Sequence, residues 1–124
     1  MKYFTKEHEW VSIDGNTATV GITHHAQKAL GDVVYLELPQ PGKQITQAKV
    51  FGVVESVKAV SDLFAPISGE VLETHEDLIQ NPEWINEDPE KKGWMIKISF
   101  KNSEEINKLL SEADYQKYLD EEVK

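Results

Sequence analysis

The chain has 124 residues, 40% of them hydrophobic and 28% charged, a balance that suits one compact domain over residues 1–124 and argues against disorder of the whole. Its 22 acidic residues against 13 basic ones give a formal net charge of −9, which argues against general nucleic-acid binding through phosphates and points to partners with basic patches. The absence of cysteine excludes disulfides, thiolate zinc sites and cysteine nucleophiles, so any thiol chemistry must ride on an attached group. No apolar run approaches the roughly 20 residues that cross a bilayer. The opening MKYFTKEHEW has neither the apolar core of a secretory signal nor the composition of a transit peptide, so a cytoplasmic location is expected, or the mitochondrial matrix for a processed organellar chain.

Along the chain, Trp10 to Ile13 and Thr17 to Ile22 flank Asp14-Gly15-Asn16 and predict a hairpin. Thr23 can cap a short helix over HHAQKAL, and Gly31 stands where a left-handed residue would end it. Val33 to Leu38 reads as a strand stopped by Pro39-Gln40-Pro41-Gly42. Strand signals return at Lys49 to Ser56, Asp62 to Phe64, Glu70 to Thr74 and Trp94 to Phe100, with Gly69 interrupting the apolar pattern. Asn81-Pro82-Glu83-Trp84 has the marks of a helix start. From Ser103 the period changes to helical, with Ser103 and Ser111 as caps and Ile106, Leu109, Leu110, Ala113, Tyr118 and Leu119 on the apolar side. The last few residues are expected to fray, and the acids Asp120, Glu121 and Glu122 to be solvated. The expected class is mainly β, with a β core over about residues 3–100 and C-terminal helices over about 103–122.

One lysine draws notice in FGVVESVKAVSDLFAPISGEV. Lys58 has Val57 and Ala59 as neighbours and strand signals on both sides, which puts it at the tip of a tight hairpin, open to solvent on a stiff mount. Gly42 lies sixteen residues before it and Gly69 eleven after, each at an expected bend. A lone surface lysine is usually no more than that; the frame of two glycines is what sets this one apart. Nothing in the chain supplies the nucleophile and acid/base constellation of an independent enzyme.

ESVKAVSDLFAPISGEV resembles the lipoyl-lysine hairpin of glycine cleavage system H proteins. The likeness continues through KEHEWV, GITHHAQKALGDVVYLELPQPG and INEDPEKKGWMIKI, from about residue 3 to residue 120. It implies a flattened β-barrel or sandwich of the lipoyl/biotinyl type, with short helices and a C-terminal helical segment. It also implies lipoate in amide linkage on Lys58, an attachment that removes the ammonium charge. Lysine stem and lipoyl chain together reach on the order of 14 Å. The resemblance further implies a non-catalytic carrier. The aminomethyl group of glycine would pass from a pyridoxal-phosphate glycine decarboxylase to the arm, and from the arm to an aminomethyltransferase that uses tetrahydrofolate. Dihydrolipoamide dehydrogenase would then reoxidise the arm, and a lipoate-attaching ligase or transferase would have installed it.

The same likeness nominates Glu9, in the HEW element, and Asp62, in the hairpin, as carboxylates that hold the protonated amine of the loaded arm. Glu55 and Ser56, just before the tip, are read either as marks for the attaching enzyme or as parts of the turn. His24 stands where the family more often has an acid. The four histidines are not read as a metal site, since the adjacent His24 and His25 would point about 100° apart on a helix. Trp10, Trp84 and Trp94 are read as packing residues. Within the family, a relay that hands lipoate to other enzymes is the alternative role. A biotin carrier, which would flank its lysine with methionines, and an unmodified interaction module stand further off.

Overall fold

The computed structural model describes residues 1–122, and the fraying expected at the very end of the chain falls outside them. Alternating apolar residues build a mainly β fold of two antiparallel sheets. β1 (Lys2–Phe4), β2 (Glu9–Asp14), β3 (Thr17–Ile22), β5 (Gln44–Ile45), β8 (Gly69–Thr74) and β9 (Ile96–Ser99) form the larger sheet, in the order β1-β2-β3-β9-β8-β5. β4 (Val33–Glu37), β6 (Val50–Ser56) and β7 (Val60–Phe64) form the smaller, with β6 in the middle.

Register places the inward side chains in rows. Val11 faces Val20, which faces Ile96, and Ala18 faces Ile98, which faces Val71. All six are buried, together with Leu36, Val54, Leu63 and Ile67 from the other side of the core. Each of the buried valines, leucines and isoleucines contributes about 1.5–3 kcal/mol of hydrophobic stabilisation, so the two sheets are held as one stiff body. A smaller cluster of Phe4, Trp10 and Tyr115 joins β1 and β2 to the C-terminal helix.

The hairpin expected after Trp10 is β2 and β3, with Gly15 at φ 62° in its turn. α1 (His24–Leu30) is capped as its sequence predicts, Thr23 accepting from the Ala26 N–H and Gly31 ending the helix at φ 82°. Two short strands, β1 and β5, and the single-turn α2 (Glu76–Gln80) add to the predicted elements. α3 (Trp84–Glu87) follows the Asn81-Pro82 signal, although the Asn81 side chain donates back to the Asp77 carbonyl instead of capping it. A 3-10 helix (Ser103–Lys108) is capped by Asn102 and not by Ser103, because the Asn102 side-chain oxygen Oδ1 is the acceptor within reach of the Glu104 N–H. Ser111 does cap α4 (Glu112–Glu122), accepting from the Asp114 N–H. On α4 the inward stripe is Tyr115, Tyr118 and Leu119, an i, i+3, i+4 set, and Ala113 lies exposed off that stripe.

Gly42 sits in a turn at φ 94°. Gly69 differs from the bend expected of it. The chain bends at Pro66 and Ile67, and Gly69 opens β8 at a backbone crossing so close that a β-carbon would lie 2.3 Å from the Ser99 carbonyl oxygen. The three tryptophans pack as expected: Trp10 is buried flat against Gly21, its indole N–H donating to the Pro89 carbonyl, and Trp84 and Trp94 are half-buried.

Candidate functional site

β6 and β7 are joined by Val57, Lys58 and Ala59, with Lys58 exposed at the middle of the connection. Ser56 makes this turn stiff. Its N–H donates to the Ala59 carbonyl at 2.8 Å, and its buried hydroxyl oxygen accepts from the N–H groups of Lys58 at 3.3 Å and Ala59 at 3.1 Å. The Val57 N–H donates to the Asp32 carbonyl at 3.0 Å, tying the tip to the segment after α1. That segment also supports the lysine stem: a β-carbon on Gly31 would stand 3.3 Å from Lys58 Cε, so the glycine leaves the stem room to lie down. Glu55 is half-exposed in the ladder, between Tyr35 and Val60.

Glu9 opens β2 and is 2% exposed. The Thr5 hydroxyl donates to Oε1 at 2.6 Å and the Phe64 N–H donates to Oε2 at 3.3 Å. β7 is an edge strand, so the Glu9 carboxylate satisfies a backbone donor that no neighbouring strand could reach. Burial pushes the Glu9 carboxyl up to about 7; the bonds from Thr5 and Phe64 oppose that rise, and nearby Glu7 adds to it.

Glu9 and Asp62 share one cleft. A cavity of about 190 Å³ is lined by both acids together with Glu7, Leu30, Ser61 and Leu63. Asp62 is exposed on β7, four residues from Lys58, a span of about 13 Å at the rise of an extended strand. A group on Lys58 with a reach on the order of 14 Å would span that distance. Beyond Glu9 lies a second cavity of about 340 Å³, bounded by Thr5, Lys6, Phe64, Lys108 and Leu109.

Sequence reasoning missed Thr5, Glu7 and the Phe64 amide, which enter the site through contacts between distant segments that no local pattern marks. His8 and His25 lie together, while His24 and His75 stand in separate environments. His24 lies 3.0 Å from the Gln27 amide, His25 faces His8 with ring centroids 4.4 Å apart, and His75 stacks on Trp94 at 4.1 Å.

A stiff two-sheet body that holds out one lysine beside a small acid-lined cleft has the build of a carrier domain. Comparison with known proteins makes this specific: the chain belongs to the glycine cleavage H-protein family, whose model matches residues 2–122. It is 54% identical to the glycine cleavage system H protein of Carboxydothermus hydrogenoformans over 98% of this chain and 93% of that one. Against the H protein of Thermotoga maritima the identity is 48%, covering 98% of both chains. Against the mitochondrial H protein 2 of Arabidopsis thaliana it is 50%, covering 98% of this chain and 78% of that one. The crystal structure of a glycine cleavage system H protein from Mycobacterium marinum superposes with a TM-score of 0.87 at 32% identity, covering 99% and 97% of the two chains. Family membership assigns the chain the role of a carrier component in glycine cleavage.

Proposed function

We propose that Lys58 bears lipoate in amide linkage and that the chain works as a single carrier domain serving three partners in turn: glycine decarboxylase, a folate-dependent aminomethyltransferase and dihydrolipoamide dehydrogenase. The observation that carries this reading is the exposed Lys58 on a turn pinned by Ser56, one arm's length from a cleft shared by Glu9 and Asp62. The residues present fit the group, since the tip is open, Gly31 clears the stem and the cleft is walled on one side by Leu30 and Leu63. Lipoate supplies a disulfide that is reduced as it takes up the aminomethyl group of glycine.

The protein's own residues do the rest. The ladder of β6 and β7 keeps the attachment point fixed, so a flexible arm samples a small volume at high effective concentration. A protonated amine entering the cleft meets Glu9 and Asp62, and the buried position of Glu9 strengthens the attraction over one in bulk water. Glu55 is on the tip's own strand, where an attaching ligase has to read it from a folded hairpin. The cytoplasm is the compartment that fits, with the mitochondrial matrix its counterpart for an organellar chain.

The test is Lys58→Arg, which keeps the charge but cannot take the amide. The variant is expected to melt with the wild type, to show no lipoyl increment by intact mass in lipoate-replete cells, and to lose glycine-dependent carbon dioxide exchange. Retained exchange, or a wild-type protein without the increment at Lys58, would contradict the assignment.

A further inference from the structure

His8 stands at φ 70°, in the left-handed region that a residue with a β-carbon occupies only at a cost. It lies between Glu7 and Glu9, which line both cavities, so whatever holds His8 also sets where that wall stands. The backbone around it closes on itself. The His8 N–H donates to the Thr5 carbonyl at 3.1 Å, the Thr5 N–H to the Glu9 carbonyl at 2.9 Å, and the Thr23 N–H to the His8 carbonyl at 3.0 Å.

The side chain of His8 is gripped from α4, more than a hundred residues away in sequence. Its Nδ1 lies 2.9 Å from the Tyr115 hydroxyl, which in turn lies 2.8 Å from Thr23 Oγ1. Thr23 Oγ1 also accepts from the Ala26 N–H it caps, which joins this contact to the start of α1. Tyr115 is itself fixed: it is 3% exposed and stacks on Phe4 at 4.6 Å with the ring planes 7° apart. Phe4 and Leu110 exchange backbone hydrogen bonds at 2.8 and 2.7 Å, which fasten the chain just ahead of α4 to β1.

We propose that Tyr115 is a positioning residue for the arm cleft: from α4 it holds His8 in the left-handed conformation, and through His8 it keeps the Glu9 carboxylate against the Phe64 amide. This rests on the reading of Lys58 and Glu9 given above. On this reading the C-terminal helix, distant from the hairpin in sequence, shapes the wall that meets the cargo.

Tyr115→Phe removes the hydroxyl and keeps the stack on Phe4. Two readouts decide. In the folded, unloaded carrier, the Glu9 side-chain carboxyl followed by NMR should titrate nearer the ordinary glutamate range in the variant, because a loosened wall admits water. In the loaded carrier, loss of the aminomethyl cargo should speed up about threefold to tenfold, as for one hydrogen bond weakened around the docked amine. His8→Gly is the second background, since glycine takes the left-handed backbone without being held. There, adding Tyr115→Phe should move neither readout further. Equal effects of Tyr115→Phe in both backgrounds overturn the proposal, and so does a Glu9 titration unmoved by Tyr115→Phe. The shelter itself is tested apart by Glu9→Ala with Asp62→Ala. If that pair leaves cargo loss unchanged, the reading of those acids fails, while the Glu9 titration still judges Tyr115.

Discussion

Because burial holds the proton on Glu9 up to about 7, the residue stands near neutral pH between two states with different uses. Neutral, it sits buried at low cost; ionised, it would pair with the ammonium of the proposed cargo, and that ammonium would in turn favour ionisation. The same shift has a consequence for stability. The folded pKa of about 7 exceeds the ordinary glutamate value of 4.5, so between those values the folded state binds more protons than the unfolded one. Stability from this group is full below the lower value and falls as pH rises through the upper one, by about 3 kcal/mol. Glu9→Gln removes the titration and can keep both hydrogen bonds, its carbonyl accepting from Phe64 and its amide donating to the Thr5 hydroxyl. Denaturant midpoints measured at pH 5 and pH 8 should diverge in the wild type and coincide much more closely in the variant. An equal decline in both proteins would remove Glu9 as its cause.

Among the elements, the β6–β7 hairpin illustrates how a local side chain sets a global property. The Ser56 hydroxyl oxygen takes the N–H groups of Lys58 and Ala59, so the tip behaves as part of the ladder and not as a loose loop. Ser56→Ala leaves those donors to water and should cost about 1 kcal/mol. Amide exchange at Lys58 and Ala59 should quicken while the core strands keep their protection, and lipoate attachment should slow. Unchanged exchange at the tip would show that the hydroxyl is idle. Much of this hairpin was legible in the sequence, because strand-forming runs on either side of the short Val57-Lys58-Ala59 break encode strands and turn locally. β1 and β5 were not, since strands of three and two residues carry no period and exist only through pairing with β2 and β8. α2 escaped for a similar reason: one turn with a single buried residue, Leu78, has no stripe to read. Gly69 shows the limit of reading glycine as punctuation. It is required where two backbones cross, a fact about Ser99 thirty residues away. Within the site, Lys58 stood out by its place between strand signals, and Glu9 and Asp62 were found through the family likeness, whereas Thr5, Phe64 and Tyr115 reach Glu9 and its loop only once the chain has folded.

At the scale of the whole molecule, the net charge of −9 is not spread without regard to the site. Asp32, Glu37, Glu55 and Asp62 all lie on or beside the small sheet that carries Lys58, and Val57, Val60 and Tyr35 are exposed among them. On the proposed reading, a partner that takes the arm into its own active site has to cover this face, and an apolar patch rimmed by carboxylates fits a basic rim around an apolar mouth. Long-range attraction then speeds encounter, while the buried contacts set how long the complex lasts. The two contributions separate by salt. Screening shortens the reach of the field to about 3 Å at 1 M ionic strength, from about 30 Å at 0.01 M. Association with each partner enzyme, followed by stopped flow, should therefore slow by about tenfold or more over that range. Cargo loss from the free carrier, which takes place inside a cleft of one molecule, should change far less. If association is indifferent to salt, the acidic face plays no part in steering. If cargo loss follows the salt as steeply as association does, the arm of the free carrier lies in open solvent and not between Glu9 and Asp62.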